Sequence, residues 1–260
     1  MAETYTWSGS LAIATIAGAS AALSYLLFQR WESTMYRNVF WASFGAAIAH
    51  AVLFLIAALG YGDTAFLQGL LLMAIVVSFF GMQAAYFQFF LPQNLRGAKI
   101  LLGFGGAAMI SSIVLLVQRD IGSLLLAVIM LIFAGVSRWI RKELPKSTKF
   151  AWTHMLFSIG SCLFLAFVWL DYAFLFVCGM LVLIAAFFLT VMIFFERVVD
   201  IVAAVSYSSV TDALTGLFNK RHILKKTEDF LREGKLVAVL FSDIDNFKRL
   251  NDTHGHHRAD

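Results

Sequence analysis

Charge is what this chain of 260 residues has least of. Only 14% of its residues are Asp, Glu, Lys or Arg, while 60% are hydrophobic. A water-soluble domain needs more charge than that, so the excess indicates membrane-spanning segments. Proline is almost missing too, and neither Pro92 nor Pro145 interrupts a long apolar run. The two cysteines, Cys162 and Cys178, both lie inside apolar runs, where a thiol reads as core packing rather than as a disulfide or metal ligand. The first residues, MAETYTW, contain no Lys or Arg, which disfavours a cleaved signal peptide with its basic leading region. The net charge of +4 raises the question of nucleic acid. Most basic residues before Glu196, however, sit in short loops, where they report topology, and no nucleic-acid partner is expected.

What the chain does have is long uncharged runs. Seven are long enough to cross a bilayer, at about 8–28, 38–59, 65–90, 98–117, 121–137, 151–170 and 172–195. The sixth and seventh meet at Asp171-Tyr172, a tight hairpin, and six spans remain if those two are one misread segment. The loops give an independent check. Loops one, three and five carry Arg30, Arg37, Arg96, Lys99, Arg138, Arg141, Lys142, Lys146 and Lys149, whereas the even loops carry only Arg119. Basic loops stay on the cytoplasmic side. The N-terminus is then outside, and after seven crossings the C-terminal part is inside.

Inside the spans, Ala14, Gly18 and Ala22 form a small-residue face suited to close helix contact. The run GFGG at 103–106 resembles a nucleotide-binding glycine loop only superficially, because no soluble strand precedes it, and close helix packing is the better reading. His50, Gln83, Gln88 and His154 are polar groups at membrane depth, which are costly and often functional. Interhelical hydrogen bonds are the first expectation for the two histidines. Ligation of a haem or another metal by His50 and His154, as a sensory centre, is the alternative. Retinal is excluded, since residues 172–195 hold no lysine for a Schiff base. No Asp, Glu, Lys or Arg sits mid-span, so an ion or solute transporter is weakly supported. With short outer loops, an external ligand must reach a pocket within the bundle or at its outer rim.

Beyond Glu196 charges recur every few residues, which marks a boundary. The last span continues as ERVVDIVAAVSYSSV, with Val198, Ile201, Val205 and Ser208 at coiled-coil spacing, equally compatible with a solvated helix. Then comes TDALTGLFNKRHI at 211–223: Asp212 and Thr215 suit a turn or cap, Gly216 a tight bend, and a helix follows to about Arg232. Glu233-Gly234 ends it. KLVAVLF, 235–241, is a compact apolar run that reads as a buried strand. At its end stand Asp243 and Asp245, either holding a hard divalent cation and through it a phosphate, or capping the next helix.

These residues carry a resemblance. Asp212-Ala-Leu-Thr-Gly-Leu-Phe-Asn-Lys-Arg221 resembles the opening motif of the GGDEF family, the diguanylate cyclase domains. Asp243-Ile-Asp-Asn-Phe-Lys248, followed by Asn251-Asp252, Gly255-His256 and Asp260, is similar to that family's second motif, D-I-D-x-F-K-x-x-N-D-x-x-G-H-x-x-G-D. Ala259 departs from it, standing where the pattern usually has Gly. The resemblance implies that Asp243 and the Ile244 carbonyl bind magnesium or manganese. It also implies that Phe247 and Lys248 lie along the phosphates of GTP, and that Asn251, His256 and Asp260 surround guanine and ribose. Zinc on His254, His256 and His257 is disfavoured in a magnesium-using family. The implied reaction joins two GTP into cyclic di-GMP with release of two pyrophosphates, each 3′-hydroxyl attacking the other nucleotide's α-phosphorus. Each domain holds one GTP, so a homodimer is implied.

The expected architecture is mainly α. A polytopic bundle of about seven spans (1–195) acts as a sensory domain, 196–211 form a signalling helix, and 212–260 start an α/β, palm-like GGDEF domain. The Gly-Gly-Asp/Glu-Glu-Phe segment occurs nowhere in the sequence. The chain is accordingly expected to be a truncated form of a longer enzyme, with no catalytic residue of that motif and no activity of its own. The rivals are a GTP-binding or docking receptor with a degenerate GGDEF domain, a bifunctional protein with a further hydrolytic domain, and a transporter with a regulatory tail.

Overall fold

The computed structural model describes residues 2–61, 65–91, 95–143, 148–170, 172–212, 215–243 and 245. It consists of helices α1 (Ala2–Trp31), α2 (Thr34–Ile56, ending in a π-helical turn at Ala57–Tyr61), α3 (Ala65–Phe90), α4 (Leu95–Val117), α5 (Arg119–Glu143), α6 (Thr148–Leu170), α7 (Ala173–Val210) and α8 (Lys220–Arg232). Seven of them, α1 to α7, are long and apolar enough to cross a membrane. The sixth and seventh runs are separate helices, so six spans are not needed. The fifth helix is longer than its apolar run, reaching Glu143.

Local hydrogen bonds close two of the connections. Ser33 caps α2, its hydroxyl accepting from the Met35 amide at 3.4 Å. Only Gln118 separates α4 from α5, its amide bonded to the Val114 carbonyl, and the Gly122 amide is bonded to the Gln118 carbonyl at 3.0 Å. This hairpin requires glycine at 122, since a Cβ there would lie 2.1 Å from the backbone nitrogen of Leu115. Gly60, with φ of 91°, turns the chain at the end of α2 in a conformation other residues rarely adopt.

Contacts divide the chain into Met1–Phe195 and Glu196–Asp260. In the first unit α3 is the hub. Tyr86 of α3 reaches Ser20 of α1. Phe89 packs on Tyr36 of α2, Phe80 meets Phe104 of α4 and Phe133 of α5, Phe79 stacks on Phe157 of α6, and Tyr86 stacks on Phe194 of α7. Six helices thus surround α3. Their outward faces stay apolar: on α2, Trp41, Phe44, Ile48, Val52 and Leu55 are exposed at helical spacing, the face that lipid covers in a membrane helix.

Two expectations about small residues change. The face of α1 that packs is Ile13, Ala17, Ser20, Ala21 and Ser24. Ala14 and Gly18 are half-buried, Ala22 is exposed, and a Cβ on Gly18 would meet nothing within 4 Å. The small-residue rule marks where helices are able to approach, and the polar and bulky residues one position away decide where they do. In the GFGG run, close packing holds at Gly105, where a Cβ would lie 2.8 Å from that of Phe80, while Gly103 and Gly106 face open space.

Candidate nucleotide-binding segment and the polar core of the bundle

The DALTGLFNKR motif builds a turn stabilised by its own side chains. The Asp212 carboxylate accepts from the Thr215 amide at 3.0 Å and from the Thr215 hydroxyl at 2.9 Å. The Gly216 amide donates to the Asp212 carbonyl at 3.0 Å, and the Asp212 amide donates to the Leu217 carbonyl at 2.8 Å. Thr211 and Phe218 form an antiparallel bridge, and Gly216 sits at φ 69°, the left-handed region that makes glycine the natural choice. Asn219 then caps α8, its side-chain oxygen accepting from the His222 amide at 3.0 Å. An Asn or Asp in this position satisfies a helix-terminal donor that otherwise has no partner. Phe218 packs against the His222 ring at 4.6 Å. At the far end Gly234 (φ 71°) turns the chain, and Lys235 pairs with Glu233 at 2.6 Å.

The run 235–241 departs from expectation. It is not in a sheet, and Leu236, Leu240 and Phe241 are bare, at 104%, 95% and 93% exposure. A buried strand needs a hydrogen-bonded neighbour and a covered face. Among the described residues no strand lies beside it, so its side chains have nothing to pack against. Asp243 and Asp245 follow, both exposed. Ile244, Phe247, Lys248, Asn251, His256 and Asp260 lie outside the described residues. Among the described residues no group of three or more His, Cys, Asp or Glu gathers around a common point. The donors proposed by sequence are all oxygens, two carboxylates and a backbone carbonyl, which suit a hard cation such as magnesium or manganese.

The bundle holds a polar core that sequence reading found only in part. The Gln83 amide donates to the hydroxyls of Thr190 at 2.9 Å and Thr153 at 3.3 Å, tying α3 to α7 and α6. Gln88 accepts from the Asn38 amide at 3.2 Å. Ser20 bridges the Tyr86 hydroxyl at 2.6 Å and Ser43 at 2.9 Å, joining α1, α2 and α3. Tyr86, Ser20, Ser43, Thr153 and Thr190 were not anticipated. The signal available was hydroxyl residues recurring inside apolar runs, but serine and threonine also bond their own helix, as Thr190 does to the Ala186 carbonyl at 2.8 Å.

The two histidines do not form the interhelical hydrogen bonds expected of them. Both are buried, and none of their ring nitrogens has a partner among the described residues. Their neighbours explain it. His50 packs edge-on to Phe187, and His154 lies among Phe79, Phe133 and Phe150, rings with no group to donate or accept in plane. The ring contacts leading from one imidazole to the other run through Phe187 and Phe79, themselves 5.8 Å apart.

Residues 209–260 match the family described as diguanylate cyclase, GGDEF domain. The response regulator PleD of Caulobacter vibrioides is 41% identical over 56 residues, 20% of this chain and 12% of PleD. The diguanylate cyclase VdcA of Vibrio cholerae is 35% identical over 61 residues, 24% of this chain and 18% of VdcA. An uncharacterised 19.3 kDa protein of Streptomyces ambofaciens is 42% identical over 53 residues, 29% of its length. The chain therefore spans between 12% and 29% of the length of these relatives. No solved structure matches it. Residues 209–260, the C-terminal fifth of the chain, thus match the GGDEF domain model and follow seven helices long and apolar enough to cross a membrane.

Proposed function

We propose that this chain is the sensory and leading catalytic part of a membrane-bound diguanylate cyclase. Its helices α1 to α7 form a multi-pass bundle in a bacterial inner membrane, with the N-terminus outside and residues 196–260 in the cytoplasm. The observation that carries the reading is the ordered pair of motifs, Asp212–Arg221 and Asp243–Asp260, inside a segment that matches the family.

In this reading Asp243 and the Ile244 carbonyl hold a magnesium or manganese ion, which when bound offsets negative charge on the GTP phosphates. Phe247 and Lys248 lie along those phosphates, and the Lys248 ammonium adds positive charge against them. Asn251, His256 and Asp260 set the guanine and ribose, an Asn and an Asp together satisfying the donor and acceptor edge of guanine. The Asp212 turn and the Asn219 cap position α8 relative to the start of the strand run. Two such domains face each other, so that each 3′-hydroxyl reaches the α-phosphorus of the other GTP and pyrophosphate leaves.

The stalk part of α7 supports a homodimer. Val198 is already buried within the chain, and the next two seam positions, half-buried Ile201 and exposed Val205, offer apolar surface to a second copy. Any shift of α7 in the bundle, through its contacts with Gln83, Phe79 and Tyr86, is carried along a single helix into the stalk.

The test is direct. The longer parent protein, purified in nanodiscs with GTP and magnesium, is expected to release two pyrophosphates per cyclic di-GMP, while a polypeptide of these 260 residues makes none. A parent that binds GTP and yields no product overturns the cyclase reading in favour of a docking receptor. For orientation, a fluorescent protein fused after Asp260 is expected to fluoresce, and an active alkaline phosphatase at the same point contradicts the topology.

A further inference from the structure

A cavity of about 190 Å³ opens at one end of the bundle, among the first turns of α3, the last turns of α4 and α6 and the start of α5. Phe66, Leu116, Phe164 and Val168 make the apolar part of its wall. Two polar groups face it, the half-buried Gln68 and the exposed Arg119. Among the described residues neither side chain has a hydrogen-bond or ion-pair partner, and none of the described lining residues is a carboxylate. Asp120 is next to Arg119 in sequence but does not line the cavity.

Arg119 is singular in this chain. It is the only basic residue in the loops at this end, and it stands beside an apolar hollow. A guanidinium without a partner at the mouth of an apolar cavity complements one class of molecule, an apolar body ending in an anion. Gln68 supplies a second donor, as a carboxylate with two oxygens requires. We infer that this cavity binds a small amphipathic carboxylate, the acid held by Arg119 and Gln68 and the tail between Leu116, Phe164 and Val168.

The position suits an input. The cavity wall includes the start of α3, the helix in contact with the other six of the bundle, so an occupant acts on the element that also touches α7 through Gln83 and Tyr86. Access from outside the cell, and the meaning of the site as a stimulus, rest on the sensor reading proposed above. Binding itself does not, and it is measured without any cyclase activity.

The experiment uses the whole chain in nanodiscs of phosphatidylcholine, titrated with radiolabelled octanoate and corrected against empty discs. Saturable binding is expected. Arg119→Gln weakens it about tenfold or more, the loss of one charge-assisted contact, and Arg119→Lys recovers part of it. Octanol, lacking the acid, is expected to be indifferent to residue 119. Val168→Trp fills the hollow and abolishes binding. Because Arg119 is exposed, its variants keep the fold even if the tryptophan variant does not. Absence of saturable octanoate binding, or equal affinity in Arg119→Gln, overturns the site. So does an effect of residue 119 seen only with phosphatidylglycerol in the discs, which makes the anion a lipid headgroup.

Discussion

The two halves of this chain use apolar residues in opposite ways. In Met1–Phe195 the phenylalanines close on one another: Phe79 and Phe157 stack at 3.7 Å, Phe80 meets Phe133 at 4.7 Å, and α3 is enclosed on all sides. In Glu196–Asp260 an equally apolar run, 235–241, stands bare, and α8 buries none of its residues. The bundle completes its own interior. Among its described residues the C-terminal unit, beyond the end of α7, forms what neighbouring residues can supply, a turn, a cap and a helix, and leaves a strand's worth of side chains without a cover. Hydrogen bonds across three or four residues need no distant partner, whereas a sheet does.

The comparison can be broken most severely at Phe79. Phe79→Ala removes the stack on Phe157 and the edge contacts to Phe80 and Phe187, and large-to-small changes of this kind cost about 3–5 kcal/mol. Thermal unfolding of the bundle in detergent is expected to fall by many degrees, with little change in the α8 segment. If the bundle keeps its midpoint, the aromatic core is not what holds it.

A smaller effect is expected at Tyr86. Tyr86→Phe keeps the ring stacked on Phe194 but deletes the hydroxyl shared with Ser20. Interhelical hydrogen bonds between membrane helices average about 0.6 kcal/mol and reach about 1.7 kcal/mol. The Ser20–Ser43 contact survives the change, so a loss near 1 kcal/mol or less is expected in the same unfolding assay. A loss as large as that of Phe79→Ala would mean that polar contacts, not aromatic packing, dominate the bundle.

The smallest effect belongs to the other half. Asn219→Ala removes the cap on the His222 amide, worth about 1 kcal/mol for such residues. Because α8 buries nothing here, the change is expected to appear as faster amide exchange over 220–224 and nowhere in the bundle. Faster exchange spreading into α1 to α6 would show that the two units are not independent in stability.

These effects also separate what the residues announce from what they conceal. Seven helices were legible because long uncharged runs are what a membrane-crossing helix requires. The turn at Asp212 and the stop at Gly234 were legible because Asp, Asn and Gly act over a few residues. The identity of the central helix was not. All seven runs are apolar on every side, so no amphipathic stripe points α3 inward, and its burial emerges only from assembly. For the same reason the partners of Gln83 could not be read, nor the phenylalanine surroundings that leave the His50 and His154 nitrogens without hydrogen bonds. The strand at 235–241 is the reverse case. Its pattern describes a state that requires neighbours beyond those described.

The central claim is that the bundle delivers its signal to a nucleotide site whose metal is held at Asp243. The most direct measurement is magnesium-dependent GTP binding and cyclic di-GMP formation by the longer parent carrying Asp243→Ala. Removing a direct ligand is expected to exceed the ~10–100-fold cost typical of outer-shell partners, so product formation should fall by about a hundredfold or more. Unchanged nucleotide affinity together with normal product formation would contradict the account.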